Sequence, residues 1–233
     1  MVFKDRLKTS EVWSAFILLA LHAVLFPCIV SMLSERGVFE LSDAQYNLIY
    51  YAVSTVLTLL LMGKFLRRSF DNLCDAPLHC LRVFLLTWVM SWVLEYASSF
   101  LLLCFDLFED NPNQNAIGGL IDDSFGMTLA MSVFLAPIVE ETVFRGGIFG
   151  AIRQRSLVRA YVITSLLFAL YHVWQYALFV DPRYLIFMIQ YIPLGFALCW
   201  CYEKSGSVWT GIFFHMSYNY FSLTALRLFS DLL

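Results

Sequence analysis

Seven predominantly apolar stretches run through this sequence, at residues 12–33, 46–63, 83–105, 127–152, 157–180, 184–202 and 207–229. Each is long enough to cross the hydrocarbon core of a bilayer, which takes roughly 17–25 residues as a helix. Inside a bilayer no water satisfies the backbone, so only helices and closed barrels span it. The period-two alternation of a membrane barrel is absent, and the spans are therefore read as helices. Composition agrees: of 233 residues 60% are hydrophobic and 14% charged, against about a quarter charged in soluble domains. That balance excludes an ordinary soluble enzyme and a disordered chain. Lys+Arg 15 against Asp+Glu 18 lacks the basic excess of a nucleic-acid partner. The predicted fold is all-α, a polytopic membrane helical bundle with about seven transmembrane helices, forming a single transmembrane domain over 1–233.

Charge sets the orientation. Of the fifteen Lys and Arg, eleven fall on one set of connections: Lys4, Arg6, Lys8, Lys64, Arg67, Arg68, Arg82, Arg153, Arg155, Arg159 and Lys204. The opposite set holds Arg36 and Arg183, with Arg227 near the C-terminal end. The positive-inside rule places the N-terminus in the cytoplasm and the C-terminus outside. The longest connection, 106–126, carries Asp106, Glu109, Asp110, Asp122 and Asp123 and suits the external face. Residues 12–33 are expected to be a span rather than a removable signal, since no small-x-small site precedes Glu35 and Arg36. Residues 65–80 are expected to hold a short interfacial helix. Of the six cysteines, Cys74 and Cys80 fall in a cytoplasmic connection, and the other four read as packing residues.

Ionisable side chains inside a span cost about 2.5–3.5 kcal/mol each on insertion scales and mark functional sites. The fourth span carries three: Glu140, Glu141 and Arg145. Glu141 and Arg145 are spaced i,i+4 and can pair on one face. Glu140 points about 100° away from Glu141, so it needs a polar interior or water. The fifth span offers His172, and the seventh offers His215 and Asn219 on one face. At about 1.5 Å per residue, all four groups lie ~12–22 Å from the cytoplasmic ends of their spans. Three helices can therefore converge on one site. Pro137, just before Glu140, removes a helical hydrogen bond, and Gly146-Gly147 permits close helix approach. Outside this set, His22 and Glu95 are also intramembrane; Glu95 is expected to be paired, and His79 to be a solvated surface residue.

The run Glu140-Glu141…Arg145, then Phe168…His172, then His215…Asn219, over three spans in that order, resembles the CPBP family of intramembrane proteases. That family includes the type II CAAX prenyl endopeptidases and bacteriocin-processing and immunity-type proteins. The resemblance covers a core of about 130–220, and it implies eight spans where this sequence offers seven. It also implies roles. Glu140 and His172 would activate a water, His215 and Asn219 would stabilise the oxyanion, and Arg145 would hold Glu141, which helps to position the base. No cofactor is implied. The substrate would be a hydrophobic or prenylated peptide or protein tail reaching the site from the lipid or the cytoplasmic side, in a bacterial cell membrane.

From below the chemistry is coherent. A carboxylate withdrawn from water is a stronger base, and donors aimed at a developing oxyanion contribute several kcal/mol. The residues leave other readings open. Glu140, His172 and His215 are also a zinc-type set, two histidines and a carboxylate, without the H-E-x-x-H spacing. The polar cluster could instead fix helix packing or hold a peptide in a non-catalytic immunity protein. Buried Glu and His also occur in transporters, although paired broken half-helices are missing here. The orientation is checked by reporter fusions: a reporter active only outside the cytoplasm works when inserted at 36–42 and fails at 153–156, and the reverse result overturns it.

Overall fold

A computed structural model describes residues 7–104 and 111–230. Lys4, Arg6, Asp106, Glu109 and Asp110 lie outside the described residues. Among those described there is no strand, and seven helices alternate in direction. They are α1 Thr9–Glu35, α2 Asp43–Asp75, α3 Pro77–Cys104, α4 Pro112–Arg153, α5 Leu157–Phe179 and α6 Pro182–Ser205, followed by α7 Val208–Ser230. The first six are long and apolar enough to cross a membrane. The seventh has the length, 23 residues, but is diluted by His215, Ser217 and Asn219. The seven predicted spans thus become six apolar helices and one helix that gives up hydropathy to carry polar groups. Large side chains such as Leu60 and Tyr96, 75% and 76% exposed, cover the outside, as a lipid-facing surface requires.

The second half of α4 is the axis of the bundle. Every residue from Val139 to Gly150 is buried. Val139, Val143, Phe144, Ile148 and Phe149 pack with Leu18 of α1, Phe65 of α2, Phe168 of α5, Leu198 of α6 and Ile212 of α7. Small residues let the helices close on it: a Cβ on Gly147 would sit 2.3 Å from the Ala15 Cβ, and one on Gly146 would sit 2.7 Å from the Phe65 ring. α6 packs between α3 and α5.

Residues 65–80 form no separate interfacial helix. They are the last turns of α2 and the first turn of α3, broken only at Ala76. α2 is 33 residues long, ~50 Å, and so outruns the ~30 Å hydrocarbon core. The excess is anchored at the α6–α7 turn. There the Ser69 hydroxyl accepts from Val208 N–H at 2.8 Å, and Trp209 Nε1–H donates to Leu66 O at 2.8 Å. Gly206, with φ 69°, makes that turn tight, because a left-handed backbone favours glycine. His79 is half-buried rather than fully solvated, its ring donating to Lys204 O at 2.9 Å. At the same end Arg68 grips Glu11 through two bonds of 2.8 Å, and Arg153 pairs with Glu203.

At the opposite end, part of the acidic connection is helical. α4 begins at Pro112 and kinks at Ser124, whose φ/ψ is −160°/100°. Asp123 beside the kink accepts from Ala44 N–H at 2.8 Å, placing a carboxylate at the N-terminus of α2, where the helix dipole favours negative charge. The close α1–α4 contact gives a test. Gly147→Ala lowers stability by about 1–3 kcal/mol through overpacking, and Ala15→Gly in the same chain restores most of it. Thermal unfolding in detergent reads both, and a Gly147→Ala midpoint equal to wild type rules out the tight contact.

Candidate active site

Three features of α4 set out the polar groups. The helix winds as a π-helix over Ala130–Leu135 and again over Glu141–Phe149, with one α-helical turn, Ala136–Glu140, between them. Such wide turns cluster at functional sites. Ala136 N–H bonds to Met131 O, five residues back. Continued in that register, Ser132 O would look to residue 137, a proline without N–H. The carbonyl instead accepts from Asn219 Nδ2 of α7 at 2.8 Å. Pro137 thus does more than bend the helix: it frees the acceptor on which Asn219 docks. One hydrogen of that amide is held by Ser132, and the second remains available.

Glu140 and Glu141 diverge as their spacing predicts. Glu141 is fully buried and turned into the protein. Its Oε1 accepts from Arg145 Nη1 at 2.9 Å and from His215 Nδ1 at 2.8 Å. Arg145 also donates to Gly195 O at 3.1 Å, and its guanidinium lies 4.2 Å above the centre of the Phe168 ring, a cation–π contact strengthened by dryness. The predicted i,i+4 pair is therefore present, with Glu141 holding His215 rather than Glu140 or His172. Gly211 leaves room for it, since a Cβ there would meet Glu141 Oε2 at 3.3 Å.

Glu140 lines an open cavity of about 1780 Å³, as do His172, His215 and Asn219. All four residues expected to carry the chemistry therefore share one wall system, while Glu141 and Arg145 stand behind it. Glu140 is 4% exposed, and among the described residues its buried Oε2 has no hydrogen-bond partner. His215 Nε2 lies 4.0 Å from that oxygen. His172 Nδ1–H donates to Phe168 O at 2.8 Å, which fixes the neutral tautomer with Nε2 as acceptor. The Phe168 ring stands between the two histidines, at 4.6 Å from His172 and 6.0 Å from His215, centre to centre.

The same geometry bears on zinc. Among the described residues, no three side chains of His, Cys, Asp or Glu are grouped closely enough to hold a metal ion.

The sequence singled out His22 but neither the tyrosines around it nor Tyr191. Tyr191 stacks on His172 at 4.5 Å and 17°, and its hydroxyl is held by Asn111 and Asn113, each at 3.0 Å. His22 is paired inside the bundle: Tyr50 and Tyr171 hydroxyls lie 2.9 Å from its Nδ1 and Nε2. Tyr51 bonds to Tyr171 at 3.1 Å, and these tyrosines sit within electrostatic reach of Glu140. Only the spacing of Tyr50-Tyr51 and Tyr171 beside His172 hinted at this cluster. Glu95 does not line the cavity and faces Tyr218, which does.

The cavity opens at the end of the bundle where α1 and α5 finish and α2 and α4 begin. Its lining reaches Glu35, Asp43, Asn113 and Val180. This is the end away from the basic connections.

With the geometry established, similarity to known proteins can be read against it. Residues 123–221 match the family described as type II CAAX prenyl endopeptidase Rce1-like. A protein of Lactococcus lactis subsp. lactis (strain IL1403), "UPF0177 protein YxdF", is 31% identical over 94 residues, 40% of this chain and 47% of that protein. A protein of Bacillus subtilis (strain 168), "Putative membrane peptidase YdiL", is 28% identical over 118 residues, 50% of this chain and 44% of that protein. The chain spans less than half the length of these curated relatives. No solved structure matches it. The matched residues contain Glu140-Glu141…Arg145, Phe168…His172 and His215…Asn219, and the resemblance carried by those three motifs is to the Rce1-like type II CAAX prenyl endopeptidases.

Proposed function

We propose that this chain is an intramembrane endopeptidase of the glutamate type, hydrolysing a peptide bond of a hydrophobic or lipid-modified substrate. The observation that carries this reading is the convergence of Glu140, His172, His215 and Asn219 on one cavity, with a Glu140 oxygen buried and unpartnered. Among the described residues no serine or cysteine side chain is hydrogen-bonded to Glu140, His172 or His215, so the proposed nucleophile is water.

In the proposed reaction a water sits between the Glu140 carboxylate and His172 Nε2. Glu140 takes one proton as the water oxygen attacks the carbonyl carbon, and His172, locked by Phe168 O, orients the second hydrogen. The carbonyl oxygen becomes an oxyanion. The free hydrogen of the Asn219 amide points to it, together with His215 Nε2–H. With Nδ1–H held by Glu141, His215 donates there as the imidazolium. The C–N bond then breaks, and Glu140 returns its proton to the departing amine. Arg145 pairs with Glu141, which in turn positions His215. With the basic connections in the cytoplasm, the peptide enters from the external end of the bundle.

Two experiments bear on this. In membranes carrying the wild type, new peptide termini appear by mass spectrometry and persist in EDTA. Glu140→Gln lowers their formation by about 10²–10⁴-fold and Asn219→Ala by about 10²–10³-fold. Identical termini with folded Glu140→Gln leave a peptide-binding protein, and loss in EDTA moves the chemistry to a metal. Separately, Pro137→Ala supplies an N–H that competes for Ser132 O. Cleavage then falls about 10- to 100-fold through displacement of Asn219, while the thermal midpoint holds or rises. Unchanged cleavage by Pro137→Ala removes the docking role of Ser132.

A further inference from the structure

The upper part of the cavity differs in character from its base. Its rim is formed by Glu35 at the end of α1, Asp43 at the start of α2 and Asp123 beside the kink of α4. Among the described residues these three carboxylates enter no ion pair, and no Lys or Arg lines the cavity anywhere. Their hydrogen bonds are to neutral donors: Ser31 to Glu35 at 2.9 Å, Ser34 to Asp43 at 3.2 Å and Ala44 N–H to Asp123 at 2.8 Å. The walls between rim and base include Leu120, Trp174, Phe179, Leu223 and Leu226. At the base lies the independent sign of a ligand, the buried and unpartnered Oε2 of Glu140.

We infer that the cavity selects a hydrophobic peptide bearing a basic residue, Lys or Arg, whose side chain sits in the Glu35–Asp43–Asp123 rim while the peptide bond reaches Glu140. This rests on the proposed peptidase reading and names its substrate class. A rim of one charge sign over low-dielectric walls focuses the field and concentrates an oppositely charged ligand. The spacing follows from α2. Asp43 is eight residues from Tyr51, ~12 Å along the helix, and Tyr51 lines the cavity together with Glu140. An extended peptide covers ~12 Å in three or four residues. The basic side chain therefore stands three or four residues from the scissile bond.

The test uses the full chain in detergent with three labelled peptides of Leu, Ala and Phe. They differ at one position, three residues from the centre, occupied by Lys, Gln or Glu. Binding is measured on Glu140→Gln, which does not turn over, and cleavage on the wild type. The Lys peptide binds about tenfold tighter than the Gln peptide and the Glu peptide binds weakest, with the preference shrinking as salt rises. Glu35→Gln with Asp43→Asn abolishes the preference. Asp71→Asn, which removes one charge at the far end of α2, retains it. Equal affinity for all three peptides, or binding of none, overturns the inference. Preferential binding of the Lys peptide without cleavage by the wild type leaves it standing and removes the peptidase reading. Cleavage without charge preference does the opposite.

Discussion

Arg145 is wholly shut off from the surface, and much of the bundle is arranged around that fact. Its side chain is wholly buried, and an isolated charge so placed is strongly unfavourable. The Glu141 carboxylate, the Gly195 carbonyl and the face of Phe168 surround it. These partners come from α4 itself, α6 and α5, and through Glu141 the contact extends to His215 on α7. Removing one member of such a set leaves its partner charged and dry, at about 3–5 kcal/mol. The ion pair therefore fixes the angular positions of three helices around α4. The bulk of Phe168 then sets the separation of the two histidines.

A second constraint is the backbone of α4. Pro137 and the π-helical winding before it release the Ser132 carbonyl, and in a membrane a released carbonyl must find a donor. Asn219 is that donor. A local irregularity in one helix is thus satisfied by the side chain of another, and the site's geometry is coupled to it. The tyrosines around His22 and the Tyr191 ring over His172 complete a polar, hydrogen-bonded wall on the cavity side. The opposite side of α4 is closed by Ala15 and Phe65 against Gly147 and Gly146.

Much of this was legible beforehand. The spans followed from apolar length, and the Glu141–Arg145 pair from i,i+4 spacing. The divergence of Glu140 from Glu141 followed from the helical repeat, and the common depth of the four polar groups from the rise per residue. Less visible were the contacts whose partners are distant in sequence. His22 with Tyr50 and Tyr171, and Tyr191 with His172, join residues that carry no periodic signal. The α2 extension past the membrane was misread as a separate interfacial helix, because Pro77 reads as a break on both sides when it only begins α3. α7 is a span whose hydropathy is lowered by His215, Ser217 and Asn219 standing among buried apolar residues such as Ile212 and Phe214.

The sequence by itself determined the class of the molecule, the course of the chain through the bilayer and the residues that must meet, because the penalty for burying charge in lipid leaves few alternatives. It also carried, in three ordered motifs, the resemblance to the Rce1-like endopeptidases. Only the tertiary structure decided that Glu141 holds His215, that Asn219 docks on a carbonyl freed by a proline, and that the cavity opens between the ends of α1 and α5 and the starts of α2 and α4. Those outcomes depend on helix rotation and tilt. These are set by side-chain packing and by small-residue contacts such as Gly147 on Ala15, which no local pattern in the chain encodes.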